Sequence, residues 1–381
     1  MKRSLLSLLT VTAAILAGTP APQAGAAEVR TYVVSLEPAA ATRSGSSTRE
    51  LARRLAARYD GTIKHVYTSA LQGFAASMSA RNARKLAEDP LVAAVEASRV
   101  VRPMAVPSWG LDRIDQRRLP LDGKAVQGGS AAGVTAYLVD SGILRTHEEF
   151  GGRARYGFDA IDSDAVADDC YGHGTHVAGI LGGRTYGVAK DVSMVAVKVL
   201  DCQGNGATAD IVAAVDWITR NARRPAVVNM SLESASSEIM DTAVEGSLDT
   251  GLVYVVAAGN RGGDACRRSP SGVRAAVTVG ATTMRDTKAT FSNWGACVDL
   301  FAPGEDVASA WNTGDTASAV ASGTSMASPH VAGAAALLLR TRPEATPAEI
   351  ARLIQNQATK GVLTDIGATS ENSLLYVEDV L

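Results

Sequence analysis

The sequence predicts an α/β protein whose central sheet is mostly parallel and covered by helices on both faces, preceded by a small α+β domain. From residue 109 onward, apolar runs rich in Val, Ala and Leu alternate with helical stretches. Such near-continuous apolar strands are typical of parallel sheets that are buried on both faces. Before that point the pattern differs, and residues 98–107 contain two prolines that discourage regular structure. We therefore expect two domains joined by an extended linker.

Hydrophobic periodicity places the elements of the small domain. Leu51, Leu55 and Ala56 recur at helical spacing. The pattern predicts strands at 30–36, 63–67, 73–78 and 91–96, and helices at 48–59 and 80–88.

The same reasoning places the elements of the large domain. Short apolar segments predict strands at 133–139, 193–200, 226–230, 252–257 and 276–279. Helical spacing predicts helices at 175–181, 209–220, 238–250, 328–340 and 347–355. Strands that alternate with helices along the chain favour a parallel sheet between two helical layers.

Length, composition and charge limit the classes of function. The chain has 381 residues, of which 46% are hydrophobic, so it can form two domains with a sizeable core. The formal net charge is -2 and the isoelectric point is near 6.2. Neither value gives an electrostatic reason to expect nucleic acid as a partner.

The first residues predict export. Lys2 and Arg3 precede an apolar stretch at 5–17, and an Ala-Gly-Ala sequence follows at 24–26. This order is typical of a secretory signal peptide covering 1–26. A transmembrane anchor is the alternative, but the stretch is shorter than the ~20 apolar residues that a membrane span requires. We therefore expect a secreted, extracellular protein without a membrane anchor.

The cysteines agree with export. The chain contains four of them, Cys170, Cys202, Cys266 and Cys297. An even number in an oxidising compartment predicts two disulfides, for which three pairings are possible. A zinc site is the alternative, but no two cysteines have the close C-x-x-C spacing of zinc ligands.

Three short motifs contain candidate catalytic residues. Asp140 lies at the carboxyl end of a predicted strand, where open α/β sheets place their sites. His173 is flanked by glycines at a helix start, which leaves room for another chain segment, and we interpret the nearby His176 as structural. Ser325 precedes a predicted helix that carries Pro329 in its first turn. The amino end of that helix offers N–H groups and a positive dipole to a developing oxyanion.

The motifs occur in the order Asp, His, Ser, and together they resemble the subtilisin superfamily. The resemblance extends over 104–381 and is strongest to the proteinase K and aqualysin branch, through the segments 109–116, 186–189, 291–304 and 372–376. It implies a three-layer, subtilisin-like catalytic domain over 104–381. Residues 27–103 resemble the inhibitor-type propeptide of the same family. That likeness implies a ferredoxin-like domain that assists folding and then blocks the cleft as an intramolecular inhibitor.

The resemblance assigns roles to matching residues. It implies that Ser325 is the nucleophile and His173 the base, while Asp140 holds the imidazole tautomer. Asn260 matches the family's oxyanion-hole side chain, with the backbone N–H of Ser325 as the second donor. The implied activity is that of a secreted serine endopeptidase, made as an autoprocessed zymogen and acting on protein or peptide substrates as a monomer.

The resemblance also implies where an extended substrate lies. One edge of the groove is Gly204, Asn205 and Gly206; the other is Ser231, Leu232 and Glu233; Ala258 and Gly259 lie beside Asn260. Glu233 departs from the family pattern, which has glycines after the leucine. Its side chain either points to solvent or stands at the pocket for the residue before the scissile bond. In the second case, our hypothesis is that Glu233 raises tolerance for basic residues there.

Two further expectations rest on the resemblance alone. The family binds calcium, and Asp299 matches a carboxylate ligand whose partners are backbone carbonyls near Arg274 and Ala276. A second site is implied around Asp112, Asp115, Gln116 and Asp122, although Lys124 stands where relatives have an oxygen ligand. The implied disulfides are Cys170–Cys202 and Cys266–Cys297.

Rival interpretations can be tested on the sequence. The segment 323–327 is close to the G-x-S-x-G motif of esterases, but that fold requires its acid and then its histidine after the serine. The last histidine, His330, lies only five residues after Ser325 in the same predicted helix. A helix-capping role suits Ser328 better than Ser325.

A catalytically silent binding protein on a protease scaffold is the non-enzymatic alternative, but none of the expected catalytic residues is replaced.

Overall fold

The computed structural model describes residues 29–68, 71–98, 108–124 and 129–377. The chain divides into two compact units, one within residues 1–103 and the other within 104–381. The predicted signal peptide and nearly all of the predicted linker lie outside the described residues. Along the described chain, no helix combines the length and the apolar character needed to cross a bilayer.

The small unit is a four-stranded antiparallel sheet with helices. Its elements are β1 Val29–Leu36, α1 Ala40–Arg43, α2 Thr48–Arg58, β2 Thr62–Tyr67, β3 Gly73–Ser79, α3 Ala80–Ala87 and β4 Val92–Ala97. The strand order is β2-β3-β1-β4, which is the ferredoxin-like order. Ser47 and Glu50 form a capping box that fixes the start of α2. The predicted α+β domain is therefore confirmed.

The large unit contains longer helices and many strands. Its described helices are α4 Trp109–Ile114, α5 His173–Gly182, α6 Thr208–Asn221, α7 Glu238–Leu248, α8 Thr324–Thr341 and α9 Pro347–Gln357. Its described strands are β5 Gly129–Ser130, β6 Thr135–Asp140, β7 Ala154–Asp159, β8 Ala189–Lys190, β9 Ser193–Lys198, β10 Ala226–Met230, β11 Ser234–Ala235, β12 Val253–Ala257, β13 Arg268–Ser269, β14 Val277–Thr282, β15 Leu300–Pro303, β16 Val307–Ala310, β17 Ser318–Ala321, β18 Thr359–Lys360 and β19 Ser373–Leu374.

A nine-stranded sheet within the described residues forms the middle layer of the large unit. Its order is β18-β19-β15-β14-β12-β10-β6-β9-β7, and neighbouring strands run parallel except for the β18–β19 pair. Successive residues of β6 enter opposite cores: Leu138 packs in the core that contains α5 and α8, and Val139 packs in the core that contains α6 and α7. The three-layer fold with a mostly parallel sheet is therefore confirmed.

The predicted elements of the large unit are present, with shifted ends and some omissions. The sequence pattern does not reveal β7, because Arg155 and Gly157 interrupt its apolar run, nor the short β15. The predicted start of α8 at residue 328 is wrong, since the helix begins at Thr324. Ser328 is therefore not a cap: it lies inside the helix, and its hydroxyl donates to Asn229 Oδ1 at 2.7 Å.

Strand order brings distant segments together at one edge of the sheet. β12, β10 and β6 are neighbours, and they end at Ala257, Met230 and Asp140. The carboxyl ends of parallel strands meet at the same edge of a sheet, where open α/β folds bind ligands. Asp140 and the segments that follow β10 and β12 are therefore close in space.

A buried ion pair joins α4 to the loop after β14. Arg113, which is 0% exposed, donates from Nε to Asp286 Oδ1 at 2.6 Å and from Nη2 to Oδ2 at 2.9 Å. Its Nη1 donates to the carbonyl oxygen of Gln116 at 2.6 Å. Each nitrogen of the guanidinium thus has a partner, which is the condition for a charge of this kind to be tolerated in a core.

We expect Arg113→Ala to destabilise the protein by about 3–5 kcal/mol, because Asp286 is left as an unpaired buried charge. In a unit of this size each kcal/mol lowers the melting temperature by about 2–4 °C. Circular dichroism melting checks the result, with Arg220→Ala as the control. Arg220 pairs with Asp216 at the surface at 2.7 Å, and such a pair contributes at most about 1 kcal/mol. Equal losses in the two variants contradict the prediction.

Candidate active site

A buried Asp140 and a partly exposed His173 form an acid–base pair at the edge of the sheet. The Asp140 side chain is 1% exposed, and its Oδ1 lies 2.7 Å from His173 Nδ1. The same oxygen accepts from the backbone N–H of Ser141 at 2.7 Å. A carboxylate can only accept from the ring, so Nδ1 carries the hydrogen and Nε2 carries the lone pair. The imidazole is thus held in the tautomer that accepts a proton at Nε2.

Two opposing effects set the pKa of His173. Burial lowers it by disfavouring the charged ring, but the charge of Asp140 and the hydrogen bond to it outweigh burial, so the pKa is raised above its ordinary value. The imidazolium formed by proton uptake is therefore stabilised in place.

Glycine beside His173 allows a close contact between chain segments, as the sequence predicts. A Cβ on Gly174 would lie 2.1 Å from the carbonyl oxygen of Gly142. No side chain fits there, so the first turn of α5 can lie directly against the segment that follows Asp140.

Asp169 organises this contact and was missed by the sequence reasoning. Its buried carboxylate accepts from the backbone N–H groups of Gly172 and Thr175 at 2.7 and 2.9 Å. It also accepts from the hydroxyl of Ser141 at 2.9 Å, and that hydroxyl accepts from the N–H of Gly174 at 2.9 Å. Asp169 therefore satisfies the start of α5 and ties it to the neighbour of Asp140. In the sequence, the D-x-x-G-H pattern that begins at Asp169 and ends at His173 is the signal that could have identified this residue.

Ser325 is the second residue of α8 and exchanges two hydrogen bonds with Ser231. Pro329 has no N–H, so it cannot donate to the carbonyl of Ser325 as a helix requires. The hydroxyl of Ser231 donates to that carbonyl instead, at 2.8 Å. In return, Ser325 Oγ donates to the carbonyl oxygen of Ser231 at 3.1 Å. A rotation about the Cα–Cβ bond is needed to turn this hydroxyl toward an acceptor elsewhere in the site.

Asn260 is held at the start of α8 by its amide oxygen. Its Oδ1 accepts from the N–H of Thr324 at 2.8 Å and from the Thr324 hydroxyl at 3.0 Å, which leaves Nδ2 as the available donor. The Cβ position of Gly323 lies 3.4 Å from this Nδ2 and 3.6 Å from the backbone nitrogen of Ser325. Two donors thus converge on the same small region, an arrangement that suits a developing oxyanion.

An open groove of about 270 Å³ begins at this cluster. Its lining includes His173, Gly204, Gly206, Ser231, Leu232 and Glu233. Asn205 holds the loop of the first edge, since its N–H and carbonyl pair with Asp201 at 2.9 and 2.8 Å. Ala258 and Gly259 follow β12 and are buried. The groove thus brings together Gly204, Gly206, Ser231, Leu232 and Glu233, whereas the other residues expected to bind substrate, Asn205, Ala258 and Gly259, do not line it.

Glu233 does not point freely to solvent. Its Oε1 accepts from Arg261 Nε at 3.0 Å and lies 3.5 Å from Arg268 Nη2. The carboxylate is already paired with two guanidinium groups, so the hypothesis that it attracts basic substrate residues loses its physical basis.

The four cysteines form two disulfides, Cys170–Cys202 and Cys266–Cys297. This is the pairing that the resemblance implies, and it leaves no free thiol among the described residues. The zinc alternative is therefore wrong.

The other histidines of the motifs are structural in character. His176 and His330 are both 0% exposed, and burial lowers the pKa of each to about 4. His330 Nδ1 lies 2.8 Å from the carbonyl oxygen of Met326 within its own helix, so it is not placed to serve Ser325.

Asp299 is placed differently from a surface carboxylate. It lies with Arg274 and Ala276 on a cavity of about 540 Å³. Its oxygens accept from the N–H of Thr278 at 2.8 Å and from Gln355 Nε2 at 3.0 Å, and burial raises its pKa to about 6. A cation offsets such a desolvated charge, so the residues fit a hard ion. Among the described residues, no group of three or more Asp, Glu, His or Cys side chains is placed to hold a metal ion, so most ligands would come from the backbone and water.

The implied second site has a similar feature. Asp112 Oδ1 is buried and has no hydrogen-bond partner within the described chain, and burial raises the pKa of this carboxyl.

Family comparisons agree with this geometry. The subtilase family matches residues 131–373, and the peptidase inhibitor I9 family matches residues 31–104. The first match covers more than half of the chain. The chain therefore belongs to the subtilase family of serine endopeptidases and carries an inhibitor I9 domain before the subtilase domain.

Individual relatives support the same conclusion. The extracellular serine proteinase of Thermus sp. (strain Rt41A) is 52% identical over 317 residues, 82% of this chain and 77% of that protein. The alkaline serine exoprotease A of Vibrio alginolyticus is 44% identical over 338 residues, 86% of this chain and 63% of that protein. The crystal structure of a cold adapted subtilisin-like serine proteinase is 49% identical, with a TM-score of 0.70, over 72% of this chain and 99% of that chain. The resemblance stated from the motifs is confirmed.

Proposed function

We propose that this protein is a secreted endopeptidase that hydrolyses peptide bonds through a triad of Ser325, His173 and Asp140. In this proposal residues 1–26 are a signal peptide, 27–103 a propeptide and 104–381 the catalytic domain. The observation that carries the proposal is the 2.7 Å bond between Asp140 and His173. His173 lines the same groove as Ser231, and Ser231 exchanges hydrogen bonds with Ser325.

The chemistry follows from the positions of these groups. Nε2 of His173 removes the proton of Ser325 as Oγ attacks the substrate carbonyl carbon, and the imidazolium then protonates the leaving amine. Asp140 keeps the ring oriented and stabilises its positive charge. Asn260 Nδ2 and the Ser325 N–H donate to the oxyanion, and each such donor contributes about 3–4 kcal/mol, a magnitude measured on subtilisin itself. Water completes the cycle by hydrolysing the acyl-enzyme.

An active-serine phosphonate tests the proposal directly. We expect covalent labelling of Ser325 alone, located by peptide mass spectrometry, because only a serine with an adjacent base is activated. Pre-incubation with a peptide substrate should slow the labelling. Labelling of another serine rejects the triad, and the absence of any labelling favours the silent binding protein.

The inhibitor I9 domain supports synthesis of the protein as a zymogen. We infer that the precursor cleaves itself and that the released domain then blocks the groove. Export of the precursor is supported by the extracellular relative and by the start of the chain.

We further propose a structural calcium ion held by Asp299 and by the carbonyls of Arg274 and Ala276. Bound calcium would supply positive charge that balances the buried carboxylate, and it would take no part in catalysis.

We expect calcium removal with EDTA to lower the melting temperature, because an ion that binds only the folded state stabilises it by about 2.7 kcal/mol at a hundredfold excess over Kd. Asp299→Asn should reduce this calcium-dependent shift. Asp249→Asn is the matched control, since Asp249 lines the same cavity but is not an expected ligand. If EDTA leaves the melting curves of wild type and Asp299→Asn unchanged, the site is absent.

A further inference from the structure

We propose that Glu233, held in place by Arg261 and Arg268, is a specificity-determining residue that restricts the residue before the scissile bond to small side chains without a positive charge. This inference rests on the proposed function, because it concerns the substrate of the same site.

Two chain segments flank the nucleophile and define where that substrate residue lies. On one side, Ser231 exchanges hydrogen bonds with Ser325. On the other, the N–H of Gly259 donates to the Thr324 hydroxyl at 3.0 Å. A carbonyl group placed over Ser325, with its oxygen near Asn260 Nδ2, directs the adjoining side chain into the gap between these segments.

Glu233 crosses this gap. Its Oε2 lies 2.0 Å from the position that a Cβ would take on Gly259, and 3.5 Å from Asn293 Nδ2. The carboxylate therefore rests against the Cα of Gly259, a residue with φ of 101° that favours glycine. The side chain that begins on one segment thus reaches the other and closes the space between them.

Two arginines hold Glu233 in this position. Arg261 Nε and Arg268 Nη2 approach Oε1 at 3.0 and 3.5 Å, and the Glu233 side chain is 17% exposed. One carboxylate between two guanidinium groups leaves a net positive charge at this wall. A substrate lysine or arginine would meet repulsion there, and a large side chain would have to displace the ion cluster.

The test compares peptide substrates that differ only at the residue before the scissile bond, with Ala, Phe or Arg. The readout is the ratio of kcat/KM values on one enzyme preparation, so any loss of active protein cancels. We expect Glu233→Gly to raise the Phe/Ala ratio by about tenfold or more, since fitting a few extra carbons in an apolar pocket has effects of this size.

Arg261→Gln supplies a second, independent reading. Its side chain is 69% exposed, so folding should be unaffected, and loss of one guanidinium should raise the Arg/Ala ratio. Arg267→Gln is the control: Arg267 is 85% exposed and lies 3.7 Å from Asp264, so this change should leave both ratios as in wild type.

The outcomes separate this inference from the proposed function. Active enzyme whose ratios are unchanged in Glu233→Gly overturns the inference and leaves the triad intact. If Glu233→Gly does not fold, an unchanged Arg/Ala ratio in Arg261→Gln overturns it instead. No cleavage of any substrate by wild type, together with no phosphonate labelling of Ser325, rejects the proposed function and the inference with it.

Discussion

Ser325→Ala should lower kcat by about six orders of magnitude, the loss measured for the equivalent change in subtilisin. Without the hydroxyl there is no acyl-enzyme, and the oxyanion donors have only water as a nucleophile to assist. The same variant should accumulate as an uncleaved precursor, because we propose that the propeptide is removed by the enzyme itself. Gel mobility and the N-terminal sequence of the purified protein check the second result.

Ser322→Ala is the matched control for this experiment. Ser322 is exposed, and its hydroxyl donates to Asp306 at 3.2 Å, so its loss should leave activity and processing as in wild type. Wild-type turnover by purified Ser325→Ala protein contradicts the triad. Normal processing of an inactive variant contradicts only autocatalytic cleavage.

Asp140→Asn should lower kcat at neutral pH by about 10⁴-fold, because an amide can donate to Nδ1 and so select the wrong tautomer of His173. The pH profile should change as well. His173 must be neutral to act as a base, so activity falls as pH drops through its raised pKa. Without the Asp140 charge, burial lowers the pKa of the ring and only the charge of Asp169 opposes it, so the acid limb should move to lower pH.

Asp168→Asn controls for the loss of one nearby negative charge. Asp168 is exposed and accepts from the Tyr156 hydroxyl at 2.8 Å, and its charge is not among those that shift the pKa of His173. A profile of kcat/KM against pH, measured on both variants, separates the two effects. An unshifted acid limb in Asp140→Asn means that Asp140 does not set the pKa of His173.

The sequence predicted the layers of the fold because they depend on local patterns. Near-continuous apolar runs such as Val253–Ala257 identify buried parallel strands without knowledge of their neighbours. β7 depends instead on its position at the edge of the sheet, beside β9, where Arg155 can remain exposed. Edge strands have weaker patterns, so this strand could not be predicted in the same way.

The candidate site shows the same division between local and distant information. Asp140, His173 and Ser325 lie in motifs that the sequence displays directly. The arginine partners of Glu233 are 28 and 35 positions further along the chain, and no local pattern connects them. The role of Asp169 likewise depends on the packing of Ser141 against α5, which only the folded chain reveals.

The position of the Cys170–Cys202 disulfide has a consequence for the compartment in which the groove of the enzyme is fully formed. Cys170–Cys202 joins the turn that leads into α5 to the loop that carries Gly204. It therefore links the segment just before His173 to one wall of the groove. In the reducing cytoplasm this bond does not form, and the two loops are tied only by weaker contacts. If the protein is exported as we propose, a chain that folded before export would lack this link between the two segments. On that proposal, oxidation outside the cell would add a constraint on the groove that does not depend on the inhibitor domain.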